Sequence, residues 1–227
     1  MGSHANLFLS PHPDDLVYSA FAAITEHGGE GDALVFFNAS RFTRWGLLPK
    51  NVATMMRTFE ERIVLALLRL GSSFLWMDDS SSRGNAIEGR EFRSKPVYFH
   101  QQLRNLFCPL GIGEHPDHLA VRDLGIEYWV RCRSKPRIWF YEDLPYAAKI
   151  PRVDDIVEKC IRRLPNLGGH LEVRYKPLTA GLFRKKLFFS RLYITQNDQT
   201  ELLRSRGREL GRRCGAPYAE AYVSSDS

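Results

Sequence analysis

Two short stretches carry residue types suited to metal-ligating and acid–base chemistry: "SPHPDD" (10–15) and "GEHPDH" (113–118). In the first, His12 and Asp15 stand three apart across a turn, with Asp14 between them. Imidazole plus carboxylate is a usual ligand pair for zinc at a catalytic site. Adjacent carboxylates repel each other, and a bound dication makes such a pair tolerable. Taken alone, the motif also reads as a His-Pro-Asp turn with an Asp capping a helix. In the second stretch, His115 and His118 stand three apart at the start of a helix and share a face. Gly111 and Gly113 let the backbone turn tightly there. Together the clusters supply three metal ligands plus spare acid–base groups; the alternative is two capped helix starts with surface histidines.

The elements around them must bring the two stretches together. "NLFLS" reads as a strand, "DLVYSAFAAITEHGG" as one helix ending at Gly28-Gly29, and "ALVFFN" as a buried strand. Residues 39–50 read as a loop, "VATMMRTFEERIVLALLRLG" as a long helix and "SFLWM" as a third strand. Residues 78–96 read as loop, "VYFHQQLRNLF" (97–107) as a helix and "CPLGIG" as a short strand and turn. "DHLAVRDLGIEYWVRC" predicts a helix and "PRIWFYE" a strand. After Pro151 the pattern predicts a helix, a strand, two helices and a closing strand, "YAEAYV". Alternating strands and helices predict a single-domain α/β fold over residues 1–227, a Rossmann-like, mostly parallel sheet flanked by helices. In such sheets sites form beyond the carboxyl ends of strands, so both motifs open onto one rim. "YED" (141–143) ends a strand on that rim, a position that favours a site role and makes Tyr141 a candidate substrate contact, with a core residue as the plainer reading of Tyr141.

With 227 residues and ordinary apolar and charged fractions, the chain is long enough for a real core and does not read as disordered. No apolar run is long enough to span a bilayer, and no signal peptide stands out. Residues 1–4, "MGSH", read as a tag remnant, so His4 is set aside. Cys108, Cys132, Cys160 and Cys214 lie far apart with no Cys-x-x-Cys pair, as in reduced cytoplasmic proteins. The net charge of +6 concentrates in "FRKKLFFSR" and "RSRGRELGRR". These read as a solvated helix face, with an anionic substrate or a nucleic-acid surface as alternatives. No nucleic-acid signature accompanies them, and no nucleic-acid partner is expected.

"PHPDD" and "HPDH" resemble the two signature motifs of the PIG-L/LmbE-like zinc-dependent N-deacetylases, in the same order. The resemblance extends to "RTFEERIVLALLRLG" with "FLWMDDS", and to "YITQ", "RG" and "YAEAYV" near the end. It implies that one zinc per chain is held by His12, Asp15 and His118. It makes Asp14 the general base and His115 the oxyanion stabiliser, with Asp117 orienting a neighbouring histidine and keeping His115 cationic. Arg57 and Asp79 fall at positions that hold sugar hydroxyls; an Arg57–Glu61 ion pair is the plainer reading of Arg57. The implied reaction removes the N-acetyl group from an N-acetylated amino sugar or its glycoside. Leu16 stands where Glu often follows the first motif, and Gly113 where some members carry Tyr. Glu114, beside His115, raises the expectation of a basic or amino-bearing substrate. The alternatives are another zinc amidase, for example on a sugar–thiol conjugate, and a non-catalytic sugar- or nucleotide-binding protein. An oligomer is compatible with all of these.

Overall fold

The computed structural model describes residues 6–27, 30–83, 103–165, 167 and 169–225. The strands are β1 (Asn6–Ser10), β2 (Gly31–Val35), β3 (Phe42–Thr43), β4 (Gly46–Leu47), β5 (Gly71–Phe74), β6 (Asn105–Pro109), β7 (Arg137–Tyr141), β8 (Leu171–Leu178) and β9 (Tyr218–Ser225). The helices are α1 (Asp15–Ser19), α2 (Phe21–Glu26), α3 (Lys50–Leu67), α4 (Ser80–Arg83), α5 (Pro116–Arg131), α6 (Tyr146–Lys149), α7 (Val153–Arg163), α8 (Ala180–Ser190) and α9 (Thr200–Cys214).

Seven strands form one sheet in the order β5-β2-β1-β6-β7-β9-β8, and β3-β4 form a small hairpin inside the expected 39–50 loop. The first five sheet strands are parallel; β9 runs antiparallel to both β7 and β8. The chain steps outward from β1 to β2 and β5, then returns to place β6 on the other side of β1. The crevice between the carboxyl ends of β1 and β6 is therefore the topological switch point, where open α/β sheets bind ligands. Both His/Asp stretches leave those two ends.

β1 is buried at every residue, as a central parallel strand covered on both faces must be. Its alternation sends Leu7 and Leu9 into one core layer, with Leu106, Cys108 and Phe140, and Phe8 into the other, with Phe107 and Tyr222. The Phe8 and Phe107 rings stack at 4.4 Å. Helix α5 lies close on β1 and β6 at Gly125, where a Cβ would fall 2.4 Å from Cys108 Sγ.

Two expectations fail for identifiable reasons. The single helix from Asp15 is broken at Ala20, and α2 restarts with its free amides bound by the sheet: Ala22 N–H donates to Glu220 Oε2 (2.8 Å) and Ala23 N–H to the Tyr222 hydroxyl (3.3 Å). In the expected helix 97–107, residues 97–102 lie outside the described residues, as do Met1–His4. Its end is strand β6, hydrogen-bonded to β1 and β7. A short apolar run such as "LFC" fits a buried strand as well as a helix, and the two vacant parallel edges decide between them.

The basic stretches are not simply a solvated face. Lys186 is buried against Glu220 (2.6 Å), and buried Arg206 pairs with Glu142 (2.6 Å). Arg213 binds Asp154 through both nitrogens (2.7 and 2.8 Å). Among the described residues no helix is long and apolar enough to cross a membrane. The four cysteines are free thiols.

Candidate active site

The turn after β1 is held in a costly conformation. Asp14 has φ 96°, left-handed backbone that non-glycine residues seldom adopt and that clusters at functional sites. Its N–H donates to Glu61 Oε2 (3.1 Å), which also accepts from the Tyr193 hydroxyl (2.5 Å). The His12 N–H donates to Asp15 Oδ2 (2.8 Å), which closes the turn and fixes that carboxylate.

Three donor atoms then converge. Asp15 Oδ2 lies 3.2 Å from His12 Nδ1 and 3.4 Å from His118 Nε2. Each ring is fixed from behind by a carboxylate. His12 Nε2 donates to Asp117 Oδ2 (2.7 Å), and His118 Nδ1 donates to Asp143 Oδ1 (2.6 Å). That leaves His12 Nδ1 and His118 Nε2 aimed at Asp15. His118 Nε2 is buried without a hydrogen-bond partner among the described residues. Two imidazole nitrogens and a carboxylate oxygen meet in one buried spot that draws positive charge, as a proton on His12 or as a cation, and the donor set is the three-ligand N/O set of a catalytic zinc. The residues therefore fit zinc. A second cluster, His12 with His115 and Asp117, also brings ligand atoms together, but Asp117 there is already engaged by His12.

The protonation pattern says the same. Burial opposes charge on His12, yet hydrogen bonds to Asp117 and Asp15 outweigh it and push the ring up to about 10. Burial would likewise raise Asp15, but His118 and His12 hold its carboxyl below the usual range. Asp14 goes the other way: burial, then the adjacent Asp15 charge, raises it well above an ordinary carboxylate.

Asp117 does not keep His115 cationic, as expected from the sequence. Its carboxylate is taken by His12 Nε2 and the Ser80 N–H (3.1 Å). His115 instead caps α5, accepting from the Asp117 N–H at Nδ1 (3.3 Å), which leaves the proton on Nε2, 3.3 Å from Ser80 Oγ. Burial, then the neighbouring His12 and His118, push His115 down to about 4, so it is a neutral donor at physiological pH.

A cavity of about 320 Å³ opens over these groups, lined by His12, Asp14, Asp15, Arg57, Asp79 and His115 among others. Arg57 is buried and faces Asp79 Oδ2 (3.4 Å), not Glu61, and its Nε donates to the Gln196 side-chain oxygen (2.7 Å). Two sequence candidates lie elsewhere. Tyr141 is wholly buried and donates to the Leu9 carbonyl (2.7 Å), so it is a core residue: the strand-end position was right, but the pleat turns its side chain inward. Glu114 is exposed and pairs with Arg163 (3.1 Å), away from the cavity. Several contributors have roles that the sequence does not assign. Asp143, next to Tyr141, orients His118 and accepts from the Gly111 and Ile112 N–H groups (2.7 and 2.8 Å). Tyr146 lines the cavity and comes within 3.1 Å of where a Gly113 Cβ would go; with φ 87° at Gly113, a side chain there would be both crowded and strained. Tyr193, Thr195 and Gln196, from "YITQ", grip Glu61, Glu60 and Arg57 on α3; the stretch was noticed without a role.

No family model matches the chain. It is 28% identical over 231 residues to 2'-N-acetylparomamine deacetylase of Streptomyces fradiae, covering 93% of this chain and 79% of that one. Its fold matches a deacetylase of the teicoplanin biosynthesis pathway (TM-score 0.71, 19% identity, 98% of this chain and 99% of that one). It also matches N,N'-diacetylchitobiose deacetylase from Pyrococcus horikoshii (TM-score 0.69, 19% identity, 96% and 82%). The structural likenesses carry the fold alone. In sequence the chain is thus similar to one deacetylase over most of both lengths, and in fold to two others.

Proposed function

We propose that this protein is a zinc-dependent hydrolase that removes the N-acetyl group from an N-acetylated amino sugar carried in a glycoside, releasing acetate and a free amine. The observation that supports it most is the convergence of His12, Asp15 and His118 beside a non-ligating carboxylate, Asp14, at the sheet's switch point. The sequence relative is named for deacetylating 2'-N-acetylparomamine.

His12, Asp15 and His118 would hold one zinc, which when bound lowers the pKa of a coordinated water to about 7 and polarises an amide carbonyl. Asp14 works beside that set. Burial and the adjacent Asp15 charge raise its carboxyl, which favours taking a proton from the attacking water and returning it to the departing nitrogen. His115 presents an N–H to the carbonyl oxygen as negative charge develops, and a neutral imidazole donates there without titrating in the working range. Arg57, held by Asp79 and Gln196, and Asp79 itself offer paired donors and acceptors to vicinal sugar hydroxyls. The free thiols suit a reducing cytoplasm.

The test is release of acetate and amine from a panel of N-acetylated amino sugars, free and as aminoglycoside-like pseudodisaccharides, alongside O-acetyl counterparts. N-deacetylation of at least one glycoside supports the reading. Hydrolysis of O-acetyl esters alone contradicts it.

A further inference from the structure

Among the described residues four tyrosines are buried, Tyr18, Tyr141, Tyr193 and Tyr222. A buried phenol hydroxyl usually finds a hydrogen-bond partner. Three of these do. Tyr141 donates to the Leu9 carbonyl (2.7 Å), Tyr193 to Glu61 Oε2 (2.5 Å) and Tyr222 to Glu220 Oε2 (2.7 Å). The Tyr18 hydroxyl has no hydrogen-bond partner among the described residues, although the residue is only 3% exposed. Tyr18 instead lines the active-site cavity, together with Asp14 and Arg57.

The chain builds this placement locally. Tyr18 stands three residues after Asp15 on α1, and its N–H donates to the Asp14 carbonyl (3.1 Å). That spacing puts its side chain on the helix face that carries Asp15. Its ring meets the Tyr193 ring edge to face (6.1 Å between centroids) and packs in the core layer of Leu9 and Phe21, which fixes its direction. Leu16, where Glu often follows the first motif, turns away: it is wholly buried with Phe8 and Phe107 and brings no polar atom to the cavity. Burial, then the charges of Asp14 and Asp15, raise the Tyr18 hydroxyl well above an ordinary phenol, so it keeps its proton and acts as a donor. Arg57 is among the charges that act on it, so it lies within reach of the groups assigned to sugar hydroxyls.

We propose that Tyr18 is a specificity-determining substrate contact, whose hydroxyl donates a hydrogen bond to a ring hydroxyl of the amino sugar alongside Arg57 and Asp79. This rests on the deacetylase reading and adds a fixed donor to it. A donor already buried and held by its ring costs little further ordering when substrate binds. It also penalises a sugar that offers no acceptor there, because the donor then stays unpaired.

The test compares wild type with Tyr18→Phe on the best substrate of the panel and on analogues that each lack one ring hydroxyl. Tyr18→Phe should keep the wild-type zinc content and urea midpoint, since it removes no hydrogen bond within the protein. On the parent sugar its kcat/KM should fall about five- to tenfold. On one deoxy analogue the two proteins should agree within about twofold, because the acceptor is already gone, while on the others the full loss should persist. Calorimetric titration of zinc-free protein with the amine product and its deoxy analogues should repeat the pattern in Kd, without any turnover. An unchanged kcat/KM on the parent overturns the proposal. So does a loss of equal size on every deoxy analogue, or a fall in zinc content or stability that accounts for the loss. A wild type that releases no amine from any N-acetylated sugar overturns the deacetylase reading and this contact with it, whereas an active wild type indifferent to Tyr18→Phe overturns only the contact.

Discussion

Asp117 Oδ2 lies 2.7 Å from His12 Nε2, although 105 residues separate them in the chain. This contact joins the two motifs across the switch point. It also decides which nitrogen of His12 faces Asp15. Replacing Asp117 by Asn keeps the size but removes the charge and loosens the tautomer. Zinc affinity, read by competition with a chelating dye, should fall about 10- to 100-fold while the fold is retained.

Asp143 plays the same part for His118 and does more, because it also satisfies the Gly111 and Ile112 amides. Asp143→Ala should weaken zinc binding and also destabilise the fold by about 1–3 kcal/mol per buried amide left unpaired. Urea unfolding of the zinc-free protein separates the two effects: Asp117→Asn should change it less than Asp143→Ala does.

Zinc-free protein should lose stability as pH rises. His12 is pushed up to about 10, so the stabilisation from its protonated ring is complete below its unfolded value near 6.5 and is lost as pH rises through about 10. Burial and the Asp15 charge raise Asp14, which acts in the same direction. Zinc must displace the His12 proton, so zinc binding should tighten with pH and release protons near pH 7. Thermal unfolding with and without zinc at pH 6, 7.5 and 9 checks this. The zinc-induced rise in Tm should grow with pH; a constant or shrinking rise would refute it.

Asp14→Asn should keep zinc and lose activity. The carboxylate lies outside the ligand set, so metal content should remain at the wild-type value while kcat falls by about 10²–10⁴. Loss of zinc together with activity would instead make Asp14 a ligand.

Tyr141→Phe separates core from site. The hydroxyl reaches only the Leu9 carbonyl among the described residues, so the substitution should cost about 0.5–1.5 kcal/mol in urea unfolding and leave KM unchanged.

The alternation of strands and helices was legible in the sequence because buried parallel strands are short, apolar and well separated. The His and Asp ligand candidates were legible because the motifs are local, with spacing that a turn or a helix face converts directly into proximity. What the sequence did not reveal depends on distant pairing. Whether Asp117 serves His12 or His115 depends on how close β1 and β6 lie. The break at Ala20 depends on Glu220 and Tyr222, some 200 residues later. Tyr141 and Asp143 sit at one strand end, and only the pleat and the β9 register decide which of them reaches the site. The burial of Arg57, Glu60 and Glu61 on α3 was likewise hidden, because the residues that bind them, Gln196, Thr195 and Tyr193, lie far along the chain.

The most direct measurement is amine release from an N-acetylated aminoglycoside, recorded as zinc-free protein is titrated with zinc. The proposed function predicts no release without zinc and a linear rise to a plateau at one zinc per chain, with Asp14→Asn binding the same zinc and staying near baseline. Release by zinc-free protein, or full activity in Asp14→Asn, would contradict it.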